Sequence, residues 1–130
     1  LDLQIGLIKP TKPSKKEMTW LREAFGDCEA ETALQARVNE FDLVSKGDVV
    51  AIKQLGHSRW VPAKVLFLAA CNDVNFAAVR RCIMLSKDNT WSTWRVLDES
   101  DLETLDNILG SMHYIEQDDI LTVLHLCGLS

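Results

Sequence analysis

The chain has 130 residues, of which 47% are hydrophobic and 25% charged, and its formal net charge is −5. These values are typical of one globular domain that buries a single core, and the negative charge excludes a protein built wholly to bind nucleic acid. No run of about 18 apolar residues occurs, so the sequence predicts no transmembrane helix and no membrane partner.

The four cysteines, Cys28, Cys71, Cys82 and Cys127, are widely spaced and form no Cys-x-x-Cys pair. Small secreted scaffolds are denser in cysteine, so we expect reduced, mostly buried thiols in an intracellular protein. The nearest approach to a metal-binding set adds His125 to three of these cysteines. Because short paired spacings are missing, the sequence predicts no metal site and no cofactor.

Residues 1–13 contain two prolines and two lysines, and this composition cannot bury much apolar surface. We therefore expect an extended arm. Its apolar residues are predicted to dock on the domain as an added strand; they are Leu3, Ile5, Leu7 and Ile8.

Residues 14–40 carry helix signals and are predicted to be a helical segment packed on the rest of the domain. Ser14 and Glu17 fit a capping box at a helix start, and apolar residues then recur at three- and four-residue steps. Gly26 interrupts the pattern. Either Asp27 caps a second helix that runs through Val38, or one helix continues at a cost of about 1 kcal/mol for the glycine.

A strand pattern begins after residue 47. Residues 49–53 and 60–68 have the two-residue period of half-buried strands, and a loop containing Gly56 joins them as a predicted hairpin. Pro62 suits an edge position or a bulge, because proline cannot donate a hydrogen bond to the ladder.

Two further strands are predicted at residues 76–85 and 90–97, each preceded by a cluster of turn-forming polar residues. Four short strands in about fifty residues favour a small, strongly bent antiparallel sheet or a partly open barrel. We predict that residues 41–130 form this barrel.

The apolar period changes after residue 98. It predicts a short helix over residues 102–109, ended by Gly110, and then two extended segments at 112–115 and 120–126, of which the second closes back on the sheet. The predicted fold class is α+β: a small bent antiparallel β-barrel, an N-terminal helical segment and a short C-terminal helix.

The charges are segregated along the chain. Residues 43–96 hold eight basic and three acidic side chains, whereas residues 97–119 hold eight acidic and no Lys or Arg side chains. Two outcomes are open: the fold keeps the segments apart as a basic and an acidic face, or the segments neutralise each other across the domain.

Two stretches resemble known chromatin modules. The run from Gly47 to Val50, followed by Trp60 to Val65, is similar to the opening of Tudor and PWWP domains. The longer layout, with a basic third strand at 79–83 and an acidic tail at 114–123, resembles the bromo-adjacent homology domain. The resemblance covers about residues 41–126.

This resemblance implies a non-enzymatic nuclear module that binds a histone tail or another chromatin protein, in some members through a methylated lysine in an aromatic cage. Cation–π attraction contributes roughly 0.5 to 2 kcal/mol per good contact in such a cage. The candidate walls are Trp60, Trp91, Trp94 and Tyr114. Trp91 and Trp94 are three residues apart, so a straight strand points them to opposite faces.

Two alternatives use the same residues differently. In the first, the domain binds nucleic acid through a basic face with tryptophans for stacking, and the candidate cations are Arg59, Lys64, Arg80, Arg81, Lys87 and Arg95. In the second, it is a protein-docking domain with an apolar surface patch and no special ligand pocket. Catalysis is not expected, because His57, His113 and His125 have no recognisable catalytic spacing.

Overall fold

The computed structural model describes residues 4–54 and 59–124 of the chain. The predicted loop residues Gly56 and His57, and the C-terminal His125 and Cys127, lie outside the described residues. The described elements, in chain order, are β1 (Gly6–Ile8), α1 (Lys15–Phe25), β2 (Ala30–Ala33), β3 (Gln35–Arg37), β4 (Leu43–Ser45), β5 (Val49–Lys53), β6 (Trp60–Cys71), β7 (Val74–Lys87), β8 (Trp91–Val96), β9 (Asp101–Thr104), a 3₁₀ turn (Leu105–Asn107), β10 (Ile108–Ser111), β11 (Tyr114–Gln117) and β12 (Ile120–Leu124).

Most strands belong to one strongly curled antiparallel sheet, with the order β10-β5-β6-β7-β8-β12-β11. β2 also pairs with β6, and β9 with β7. The end strands β10 and β11 are joined in the chain by only Met112 and His113, so the sheet curls into a half-barrel. The predicted small, bent antiparallel barrel is thus confirmed in its coarse form. A second sheet has the order β1-β3-β4.

The four predicted central strands are present. β5 lies at the centre of the core, because its side chains pack into a different buried cluster on each face. Val50 and Ile52 pack in one buried cluster, whereas Val49 and Ala51 pack in another. Full burial of one such aliphatic side chain contributes about 1.5–3 kcal/mol.

Pro62 has the predicted edge position, although β6 is paired on both sides farther along the strand. Pro62 itself pairs with Ala51 in β5, and pairing of β6 with β7 begins only at Ala63. The missing N–H of the proline is tolerated there because β6 has a neighbouring strand on one side only.

The N-terminal helix begins as predicted, with the Ser14–Glu17 capping box formed. It packs on the sheet through Leu21, which is fully buried, and through Trp20, whose ring centroid lies 5.4 Å from that of Phe67. The Trp20 indole nitrogen also donates to the Ser100 hydroxyl at 2.9 Å.

The prediction of helix from residue 26 to residue 40 is wrong. Gly26 ends the helix with φ of 74°, and Asp27 caps no second helix. β2 instead pairs with the end of β6, and β3 pairs with both β1 and β4. Cross-strand hydrogen bonds to distant segments therefore override a local helical spacing.

The predicted C-terminal helix at residues 102–109 is also wrong. β9 pairs with β7 and β10 with β5, and only the 3₁₀ turn lies between them. Gly110 does not end a helix: it lies in β10 with φ of 156°, where an added Cβ would be 3.2 Å from an oxygen of Asp42. β12 closes on β8 as predicted, while the preceding segment is shifted to β11.

The N-terminal arm contributes β1, which pairs with β3. Leu7 packs against the main core, whereas Ile5 is exposed, and Leu3 lies outside the described residues. The predicted added strand is therefore present over Gly6–Ile8.

Glu17 ties the helix start to the rest of the domain. Its carboxylate accepts a hydrogen bond from the Ser14 backbone N–H at 2.8 Å and lies 3.6 Å from the Lys46 ammonium. Burial of this carboxyl raises its pKa, but the hydrogen bonds with Ser14 and the charge of Lys46 outweigh that effect, so the pKa lies below its usual value.

We expect Glu17→Gln to lower the free energy of unfolding by at most about 1 kcal/mol at neutral pH, because it keeps the capping box but removes the charge. A carboxyl whose pKa is lower in the folded state stabilises above its unfolded pKa, and this stabilisation is lost as pH falls through the folded pKa. The difference from the wild type should therefore close in urea unfolding measured from about pH 7 to about pH 3. Glu23→Gln, at an exposed helix position, is the control. A Glu17→Gln difference that stays constant over this pH range contradicts the assignment.

Candidate functional site

Three of the four candidate aromatic residues belong to or pack against one apolar cluster inside the curled sheet. Trp60 at the start of β6 and Trp94 in β8 have ring centroids 6.0 Å apart and ring planes tilted by 31°. Tyr114, at the start of β11, packs on the same apolar cluster. They meet because β11 pairs with β12 and β12 with β8, so the curl of the sheet faces these strands toward β6.

The three rings differ in their access to solvent. Trp94 is only 5% exposed, and its indole nitrogen donates to the Ser92 hydroxyl at 2.7 Å. Trp60 and Tyr114 are half-buried. Trp94 is thus buried, and Trp60 and Tyr114 are the two rings of this set that are partly open to solvent.

Trp91 does not join this cluster. The burial pattern along β8 alternates, with Trp91 39% exposed on the face opposite Trp94. The predicted opposite orientation of these two residues is confirmed. A site built from all four aromatics does not form, because the strand period separates Trp91 from the others.

A partly buried ion pair lies beside the aromatic cluster. The Lys64 ammonium in β6 donates to both oxygens of Glu116 in β11, at 2.7 and 2.8 Å. This contact joins the strands that carry Trp60 and Tyr114. Lys64, one of the predicted nucleic-acid-binding cations, is therefore engaged by a carboxylate within the domain.

Two more predicted cations are occupied by the acidic segment. Arg80 donates to the Leu97 carbonyl at 2.6 Å and to the Asp98 carboxylate at 3.2 Å. Arg81 lies 3.2 Å from Asp101 and forms an ion pair with the Glu103 carboxylate. At these positions and at Lys64, the two oppositely charged segments neutralise each other rather than form separate faces.

The other three candidate cations, Arg59, Lys87 and Arg95, are exposed. Within the described residues, Lys87 and Arg95 form no ion pair. Three of the six candidate cations are therefore engaged by carboxylates of the domain.

The described cysteines, Cys28, Cys71 and Cys82, are free thiols. Burial raises the pKa of the Cys82 thiol to about 12, and burial together with the neighbouring Cys28 raises the pKa of Cys71 to about 11. Both buried thiols are therefore protonated at neutral pH and contribute to packing.

Among residues 4–54 and 59–124, no group of three or more His, Cys, Asp or Glu side chains is arranged to hold a metal ion. In the same ranges, no helix has the length and apolar character needed to cross a membrane.

The sequence reasoning did not single out the outward apolar residues of β7, β11 and β12. Their exposed side chains include Ile83 and Ile115. A sequence signal was present in β11 and β12, where apolar residues occupy both odd-numbered and even-numbered positions. Because successive side chains of a strand point to opposite faces, this pattern places apolar residues on both faces of the sheet.

No family model matches the chain, and no curated protein sequence matches it.

Glu103 allows a test of the charge neutralisation. It is 4% exposed and accepts a hydrogen bond from the Asn107 side chain at 3.1 Å in addition to its ion pair with Arg81. We expect Glu103→Gln to lower the free energy of unfolding by about 1–3 kcal/mol, because the guanidinium loses its buried counter-charge and keeps only Asp101. Urea unfolding measures this change.

Glu99→Gln is the matched control, because Glu99 is exposed. Its expected effect is below about 0.5 kcal/mol. Equal effects of the two substitutions contradict a stabilising role for the Arg81–Glu103 pair.

Proposed function

We propose that this domain is a non-enzymatic interaction module of the chromatin-reader type, which binds a histone tail or another chromatin protein in the nucleus. In this proposal, one side chain of the partner, a methylated lysine, lies against Trp60 and Tyr114, with Trp94 behind them. The observation that carries the proposal is the convergence of these three rings, two of them half-exposed, on one cluster.

The chemistry of the pocket favours a cation with a weak hydration shell. A methylammonium retains its charge for cation–π attraction but costs less to desolvate than a lysine ammonium. The Trp94–Ser92 hydrogen bond and the Lys64–Glu116 ion pair hold Trp94 and the flanking strands before a ligand arrives, so little ordering cost falls on binding.

The proposed non-enzymatic class is supported by the ion pairs of the carboxylates and by the raised pKa values of the buried thiols. The carboxylates of Asp98, Glu103 and Glu116 are engaged by Arg80, Arg81 and Lys64. The buried thiols have raised pKa values, which makes them weak nucleophiles at neutral pH. These groups are used to hold the fold.

The alternative function is nucleic-acid binding through a basic face. It is less well supported, because three of the six candidate cations form ion pairs within the domain.

We expect tryptophan fluorescence to show saturable quenching by a methylated histone peptide and much weaker quenching by its unmethylated counterpart. Trp60→Ala should weaken binding of the methylated peptide about tenfold, in line with the loss of a cation–π contact. Trp60→Phe should retain most of the affinity. Trp91→Ala is the matched control, because this exposed tryptophan lies outside the cluster.

The same titration is run with short single- and double-stranded nucleic acids at two salt concentrations. A salt-sensitive response to nucleic acid alone favours the basic-face rival. Equal affinity for methylated and unmethylated peptides, or equal losses in Trp60→Ala and Trp91→Ala, overturns the proposed pocket.

A further inference from the structure

The outer face of the half-barrel carries a second surface, on the strands β7, β8, β12 and β11. Directly paired residues of antiparallel strands point to the same side of the sheet, so the register gives the layout of this face. One row runs Ile83, Arg95, Ile120, Gln117; a second runs Thr93, Thr122, Ile115; a third pairs Trp91 with Leu124.

Most of this face is apolar or neutral. Ile115 is 65% exposed, and the other large apolar side chains, which are exposed or half-buried, are Ile83, Trp91, Ile120 and Leu124. The inner face of the same strands is already buried through Trp94, Leu121 and Val123. A sheet with apolar residues on both faces is typical of a strand layer covered on both sides, and contiguous exposed patches of this kind mark interaction sites.

Two opposite charges lie on this face, which is otherwise apolar or neutral. Arg95 stands in the middle of its row. Asp118, in the β11–β12 turn, lines a shallow depression of about 330 Å³ together with Ile115, Gln117, Ile120 and Thr122. Within the described residues, neither Arg95 nor Asp118 forms an ion pair.

We propose that this face packs against the same face of a second copy of the chain, in a two-fold symmetric dimer. In a two-fold contact, each residue pair occurs twice, because residue i of one copy contacts residue j of the other and residue j contacts residue i. Arg95 of each copy then meets Asp118 of the other, while the isoleucines and Trp91 fill the space between the sheets. Because the face carries both signs of charge, a second copy in two-fold orientation offers an opposite charge to both Arg95 and Asp118, and this self-complementarity favours a second copy.

The surface lies outside the aromatic cluster of Trp60, Trp94 and Tyr114, so the dimer does not depend on the proposed peptide site. It would present two such sites on one assembly, which increases the apparent affinity for a partner with two recognised side chains.

Sedimentation analysis of the full chain over a range of concentrations tests the proposal. We expect a concentration-dependent dimer that Ile115→Arg converts to monomer, because Ile115 is largely exposed and its replacement leaves the core intact. Leu34→Arg is the matched control: Leu34 is 74% exposed but lies between β2 and β3, away from this face. A wild-type chain that stays monomeric, or a dimer that Ile115→Arg does not weaken, overturns the proposal.

A charge exchange tests the pairing of Arg95 with Asp118. Arg95→Glu and Asp118→Lys should each weaken self-association at least about tenfold, because each places like charges together. Mixing the two variants should restore a dimer, since every introduced charge then meets an opposite one.

Asp118 has a left-handed backbone with φ of 51°, so Asp118→Asn, which tolerates this conformation, serves as a second variant and should weaken the dimer without a folding defect. Circular dichroism checks the fold of each variant. Folded single variants that still dimerise as the wild type does contradict the charge pairing.

Discussion

The long hairpin of β6 and β7 is the constraint on which the other elements depend. These strands have 12 and 14 residues, and each also pairs with two further strands: β6 with β2 and β5, and β7 with β8 and β9. Buried backbone N–H and C=O groups must be paired, and this hairpin supplies partners for four other strands. Register shifts after Val65 and after Met84 bend the two strands, so one hairpin serves both ends of the half-barrel.

Charge in this domain serves the fold before it serves recognition. The acidic stretch that follows β8 contains β9, which pairs with β7. This pairing places the β9 carboxylates beside Arg81. The ion pair between Lys64 and Glu116 closes the other side of the half-barrel. Of the six candidate cations, only Arg59, Lys87 and Arg95 remain exposed, in a chain whose formal net charge is −5, so little positive charge is left to follow a phosphate backbone.

Side chains alternate between the two faces of β8, so its two tryptophans belong to different proposed surfaces. The inward side of this strand contributes Trp94 to the aromatic cluster, and the outward side contributes Trp91 to the apolar outer face. A recognition pocket needs rings held rigidly around a small opening, which a curled sheet provides on its inner side. Contact with another sheet needs apolar side chains exposed along neighbouring strands, which the outer side of β8, β12 and β11 provides.

The sequence by itself determined the features that depend on near neighbours: the capping box at Ser14, the central strands, the turn at Asn72 and Asp73, where both residues have positive φ, and the opposite orientation of Trp91 and Trp94. Only the tertiary structure decided that the segments after Gly26 and before Gly110 are strands, since their backbone hydrogen bonds go to β6, β7 and β5. It also decided which aromatic rings meet and which cations are neutralised. The physical reason is distance along the chain: Lys64 and Glu116 are 52 residues apart, and such contacts follow from strand pairing, which local spacing does not encode.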